Sequence, residues 1–298
     1  MFRAGKRRSP AGWKRVARGG VSCTVAMAVM LCGSGAAVWA KSPLGKHWPA
    51  NQQLSMNDID HAPFNALLSK YVDDDGYVNY TAWKASSPDR QALRKYLRAL
   101  SRGSTTRPAS RQARLAFWIN AYNAVTLEGI LDVYPTSSIR EHTATLFGYN
   151  IWTDLPLNVG EGTYSLEQIE HQNLRKLGEP RIHFAIVCAS VGCPRLRNEA
   201  YTASRLEEQL ADNARDFFSR RSNFRFDEQS KQFNVSSILK WFDSDFGQTQ
   251  VDRFGYLKPY LPASARRAAT DPNTNISFLD YDWSLNDQAR RKRTRRTK

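Results

Sequence analysis

The stretch from Ser110 to Pro135, SRQARLAFWINAYNAVTLEGILDVYP, constrains the fold more than any other part of the chain. Leu115, Trp118, Tyr122, Val125 and the Ile130/Leu131 pair recur at helical spacing, and apolar residues almost surround the helix. A helix without a polar face belongs in the middle of a fold, with other elements packed round it. Ser110 opens it as a cap and Pro135 terminates it. Asn120 and Asn123 sit mid-helix, at i and i+3, so they point the same way. Asparagine is a poor interior helix residue unless its amide finds partners. Two roles fit: the amides tie the helix to a loop, at Asn158 or near Cys188, or one of them orients a histidine or joins an oxyanion hole.

The rest of the chain alternates short helices and strands. Phe64, Leu67, Leu68, Tyr71 and Val72 make a short amphipathic helix, and a second spans roughly 88–101. Asp73-Asp74-Asp75-Gly76 begins like a calcium loop, but the twelfth position is Lys84, where a bidentate acid is required. It reads instead as a turn into a strand at 77–80. Ser165-x-x-Gln168 opens a helix that Gly178 closes. RIHFAIVC, residues 181–188, is almost wholly apolar and reads as a strand buried on both faces. A helix at 203–219, a hairpin at 224–226 and 233–235, a short helix at 237–242 and a strand at 276–283 follow. That order predicts the α+β class, a small mixed sheet packed under several helices. Residues 61–289 form one globular domain, preceded by a polar linker at 41–60.

The net charge of +15 resembles a nucleic-acid signature until it is located. Seven Lys/Arg fall in residues 1–40 and seven in 290–298, which leaves 29 basic against 28 acidic residues in the body. Sequence-specific nucleic-acid binding is therefore not expected. The tail at 290–298 reads as a disordered, solvated end able to make weak contact with an anionic surface. The first forty residues follow the grammar of a signal peptide: a basic flank, an apolar run from Val21, and Val38-Trp39-Ala40 at the end. They predict a body exported to the periplasm or beyond; an uncleaved anchor at 21–40 is the alternative.

Of the four cysteines, Cys23 and Cys32 lie in that leader, leaving Cys188 and Cys193 in an oxidising compartment. Several segments then resemble, in order, the core of the domain-of-unknown-function 547 family: AFWINAYNA (116–124), YSLEQIEH (164–171), PRIHFAIVCASVGCPRLR (180–197), LKWFDSDFG (239–247) and FLDYDW (278–283). The resemblance supports the domain boundaries and implies no established activity. Kinship with papain-like or transglutaminase-like folds is an analogy at the level of fold.

Candidate chemistry concentrates between Asn158 and Leu196. Cys188 is placed at the carboxyl end of the expected strand, where sheets of this kind present nucleophiles. A straight strand would keep His183 from it, since five residues span roughly 16 Å and odd separations point to opposite faces. Glu167, His171 and Arg175 share a helix face, so His171 and His183 are expected to meet, with Glu167 orienting one of them. The candidate catalytic set is Cys188, His171, His183, Glu167, Asn120 and Asn123. The reaction expected of it is thiol-dependent hydrolysis or acyl transfer on a peptide or glycan substrate. The rival reading is a non-catalytic binding module stapled by a Cys188–Cys193 disulfide, in which the histidines are structural. Glu170, Asp243 and Asp245 add carboxylates that nothing in the spacing assigns. No HExxH, CxxC, phosphate loop or dinucleotide fingerprint is present, so no cofactor and no metal is expected.

Overall fold

Helix α4 (Arg111–Val133) is buried along nearly its whole length, from Ala113 and then from Leu115 through Leu131. This computed structural model describes residues 42–143 and 150–291; the leader expected at 1–40 and the tail beyond Arg291 lie outside them. Before α4 come α1 (Ala62–Tyr71), α2 (Tyr80–Ala85) and α3 (Ser87–Leu100). α3 packs against both α1 and α4. Its Arg90 and Arg94 reach Glu128 and Asp132 on α4, holding the one carboxylate buried in that face.

After α4 the chain forms α5 (Ile151–Asp154) and a hairpin of β1 (Leu157–Val159) and β2 (Gly162–Tyr164). α6 (Leu166–Gln168) continues through a wide turn at Ile169–Leu174 and a tight one at Arg175–Leu177, ending at left-handed Gly178. In the wide turn the Arg175 N–H bonds Glu170 O, five residues back, a local expansion that is common at functional sites. Beyond it stand α7 (Leu206–Ser219), β3 (Phe224–Asp227), β4 (Gln232–Ser236), α8 (Ile238–Trp241), α9 (Asp243–Phe246), α10 (Gln250–Leu257) and β5 (Asn275–Leu279). β3 and β4 pair antiparallel, Phe224 opposite Val235, while β5 lies parallel to β4, Phe278 opposite Val235. The fold is α+β with a small mixed sheet, as the order of segments predicts.

Two apolar clusters fill the interior. The larger surrounds α4; the smaller joins Phe184, Phe217, Phe218, Phe224 and Phe233 beneath the sheet. The expected capping box at Ser165 is present: its Oγ accepts from the Gln168 N–H and its own N–H donates to Gln168 Oε1 at 2.9 Å. Ser165→Ala should cost about 1 kcal/mol, read as a lower urea midpoint with unchanged m-value.

Several segments differ from the sequence reading, among them the strand expected at 276–283, which ends at Leu279. Residues 181–188 form no strand: Pro180–Phe184 is a 3-10 turn capped by Glu179, and the run is apolar because α4 and α7 enclose it, not because it pairs. At 77–80 only Val78 pairs, with Val72 and Asp287, before α2 begins. Residues 42–60 run along the body rather than away from it, with Leu44 bonded to Pro156 and Asn158 and with Met56 and Ile59 buried. Arg290 and Arg291, expected in the loose tail, belong to a helical turn, and Arg291 pairs with Asp73 and Asp75. Those pairings engage Asp73 and Asp75, while Asp74 accepts from Asn198.

Candidate functional site

Asn123 positions the site. Its Nδ2 donates to Ala185 O at 3.0 Å and its Oδ1 accepts from the Val187 N–H at 2.9 Å, pinning the chain that leads into Cys188. Asn120 does the same one turn earlier, with Tyr201 O at 2.8 Å and Tyr201 N–H at 2.9 Å. Both amides therefore act as ties from the central helix to loops. The partner of Asn123 is the backbone beside Cys188 and not Asn158, whose side chain accepts from Thr163 instead.

Directly after Cys188 the chain reverses at Ala189, a non-glycine residue held in the left-handed region with φ 61°. The segment after β5 holds this loop in place. Asn286 N–H donates to Ala189 O, Val191 N–H to Ser284 O and Gly192 N–H to Asp282 O. A Cβ on Gly192 would meet Asp282 N at 2.9 Å and the Tyr281 ring at 3.0 Å, so only glycine allows the two segments this close.

The reversal turns Cys193 back onto Cys188. Their sulfurs are 2.7 Å apart and unbonded in this structure, where a disulfide would have about 2.05 Å. Cys193 Sγ accepts from the Cys188 N–H at 3.1 Å and from Tyr281 OH at 3.0 Å, with Ser190 Oγ at 3.4 Å. Burial would raise the Cys193 thiol, but hydrogen bonds from the Cys188 thiol, Ser190 and Tyr281 outweigh it and lower it to about 6. Cys188 is pushed the other way, well above the ordinary thiol range, by its hydrogen bond to Cys193 and by burial. The contact between the two sulfurs thus favours charge on Cys193 over charge on Cys188. Cys188 is the more exposed of the two.

These sulfurs open on a cleft of about 190 Å³ lined by Tyr122, Glu170, His183, Trp241, Tyr281 and Trp283, among others. His183 Nε2 donates to Asp245 Oδ2 at 2.8 Å, and its ring stacks on Phe242 with centroids 4.0 Å apart. Its Nδ1 has no hydrogen-bond partner and lies 3.9 Å from Glu170 Oε1. Burial keeps this imidazole neutral, pulling its pKa down against the pull of Asp245. Arg175 grips Asp245 with two bonds of 2.6 and 2.7 Å. Burial opposes ionisation of Asp245, but the His183 and Arg175 bonds win and its pKa is lowered. Glu170 goes the opposite way: burial raises its carboxyl to about 7, against Arg175 and with the help of Cys193.

Residues 106–218 match the family model described as "Protein of unknown function, DUF547". That segment is similar to the DUF547 family. No curated protein and no solved structure matches the chain. The DUF547 match holds Asn120, Asn123, Glu170, His183 and both cysteines, whereas Trp241, Asp245, Tyr281 and Trp283 follow it in the chain. The thiols and their carboxylate thus belong to the DUF547 segment, and one wall of the cleft is built from outside it.

The structure sorts the expected site residues. Cys188 and His183 line one cleft after all, because the run between them turns in a 3-10 helix instead of extending. His171 is exposed; its Nδ1 accepts from Arg175 at 3.0 Å and its ring lies against Phe242 at 6.4 Å, behind His183. Glu167 is exposed as well, and the carboxylates at His183 are Glu170 and Asp245. The wide turn at 169–174 explains the exchange, since the added residue per turn rotates Glu170 inward. Ser190 and Tyr281 were not legible as site residues. The one available signal was Tyr281 and Trp283 alternating with Asp280 and Asp282, which puts both aromatics on one face. Among the described residues no group of His, Cys, Asp and Glu is arranged to hold a metal, and no helix is long and apolar enough to cross a membrane.

Proposed function

We propose that this chain is an exported thiol enzyme, a hydrolase or acyltransferase acting on an acyl group carried by a peptide or glycan. One observation carries the reading: two adjacent cysteines face a cleft that also holds a buried carboxyl, Glu170, and a buried histidine, His183. The basic and apolar leader supports export. Trp241, which is 47% exposed, stands with Tyr281 and Trp283 at centroid distances of 4.9 and 5.9 Å. Such a wall suits a peptide plane or a sugar ring.

In this mechanism the proton of Cys188 passes to the Cys193 thiolate as the Cys188 sulfur attacks the acyl carbon. The hydroxyls of Ser190 and Tyr281, 3.1 and 3.3 Å from Cys188 Sγ, stabilise the oxyanion. Protonated Glu170 gives its proton to the leaving group and, now ionised, takes one from the water or acceptor that cleaves the thioester. Asp245, His183 and Arg175 hold that side of the cleft rigid.

Alkylation with iodoacetamide across pH tests the reading, with an ester and thioester panel assayed in parallel. Cys188, held above the ordinary thiol range by its partner and by burial, should react appreciably only at alkaline pH, and its modification should abolish acyl-transfer activity. Cys193→Ser removes the bond that holds Cys188 above the ordinary thiol range and should move its profile down toward about 8.5, quickening reaction near neutral pH by roughly threefold or more. Sulfurs that resist alkylation, or a Cys188 profile indifferent to Cys193→Ser, would sink the proposal.

A further inference from the structure

We infer that Cys188 and Cys193 form a reversible dithiol–disulfide couple that switches the cleft between an open thiol form and a closed disulfide form. What is switched rests on the thiol chemistry proposed above; the couple itself stands on geometry alone. The sulfurs are 2.7 Å apart, so bonding asks for a closure of well under one ångström. The loop that carries them is fixed at both ends. Asn123 holds residues 185 and 187, and three backbone bonds tie Ala189, Val191 and Gly192 to residues 282–286. The two thiols are therefore held adjacent by a frame that does not depend on their bond.

A permanent structural bridge would need nothing more. This pair, however, sits among donors, with the Cys188 N–H, Tyr281 OH and Ser190 OH all aimed at sulfur. Those bonds are strong to a thiolate and weak to a disulfide, so they favour the reduced form. Stabilising the reduced state is what makes a disulfide easy to reopen.

The oxidant is a small-molecule disulfide, RSSR. The Cys188 proton moves to Cys193, and the Cys188 thiolate attacks one sulfur of RSSR, breaking its S–S bond and releasing RS⁻. Cys193 then loses its proton to that RS⁻ and attacks the Cys188 sulfur, which expels the second RS⁻. The protein gives up two electrons, RSSR is reduced to one RSH and one RS⁻, and the charge of −1 is conserved. In the product neither sulfur can attack a carbonyl. Excess thiol runs the sequence backward.

Equilibration of the full chain with glutathione buffers of graded ratio, followed by acid quench, alkylation and peptide mapping at 188 and 193, tests the couple. Both thiols should disappear together with the loss of two hydrogens, and reduced glutathione should restore them. Cys188→Ser should leave Cys193 a lone thiol carrying at most one glutathione. Tyr281→Phe, lacking one donor, should oxidise at a glutathione ratio at least threefold more reducing. The inference is overturned by two thiols that persist at the most oxidising ratio, by a mixed disulfide that accumulates unresolved, or by a bridge that excess reduced glutathione leaves intact. A Tyr281→Phe midpoint shifted the other way overturns it too. The readout is thiol content, so it stands if the acyl-transfer assays show no activity. Alkylation-sensitive activity without a couple would remove the switch alone.

Discussion

Asn123→Ala should destabilise the protein by about 4 kcal/mol and at the same time slow alkylation of Cys188. The amide is buried and bonded both ways, to Ala185 O and from the Val187 N–H. Truncation strands two buried backbone groups at about 1–3 kcal/mol each and adds a small cavity. Asn120→Ala is the matched control, because it strands the equivalent pair on Tyr201, away from the thiols. Both variants should show lowered urea midpoints of similar size, but only Asn123→Ala should change the alkylation rate. A loss below about 1 kcal/mol for Asn123→Ala, or equal alkylation in the two variants, would refute the tie.

Glu170→Gln should leave stability unchanged near pH 4 and raise it by about 3 kcal/mol at pH 8. The folded carboxyl is raised to about 7 against 4.5 unfolded. Below the unfolded value both states carry the proton and the group contributes nothing to the pH dependence. Between the two values the unfolded chain ionises while the folded one does not, so stability falls as pH rises, by up to about 3 kcal/mol above the folded pKa. Glutamine cannot ionise and removes that loss. Two neighbours have the opposite sign: His183 and Asp245 both have lowered folded values, so their contributions are present at higher pH and lost as pH falls. Both remain in the variant, and the difference between the two urea series isolates Glu170. Parallel curves from pH 4 to 8 would show that the carboxyl ionises freely. The same substitution should also impair any acyl transfer, so the gain in stability comes with a loss of function.

Much of the frame could be read from the chain because local signals agreed with one another. Helix α4 announced itself by an apolar face on every side, and the Ser165 capping box and the Phe224–Val235 hairpin formed where their residues predict. The misreadings share a cause. An apolar run such as 181–188 reports burial, and burial by helices leaves the same pattern as burial in a sheet. Glu167 and Glu170 were separable only by the wide turn at 169–174, which carries no composition signature. Asp245 reaches His183, and Tyr281 reaches Cys193, through tertiary packing of distant segments, and no spacing encodes a distance of that kind.

The parallel pairing of β5 with β4 decides when the thiols become sheltered. Parallel neighbours need a long excursion between them, and here it carries α8, α9 and α10 before the chain returns with Tyr281 and Trp283. During synthesis both cysteines therefore leave the ribosome well before the tyrosine that caps them. Until Tyr281 arrives, Cys193 lacks one of the three donors it has in the folded chain. The full set of donors around Cys193 therefore exists only once the last strand has returned.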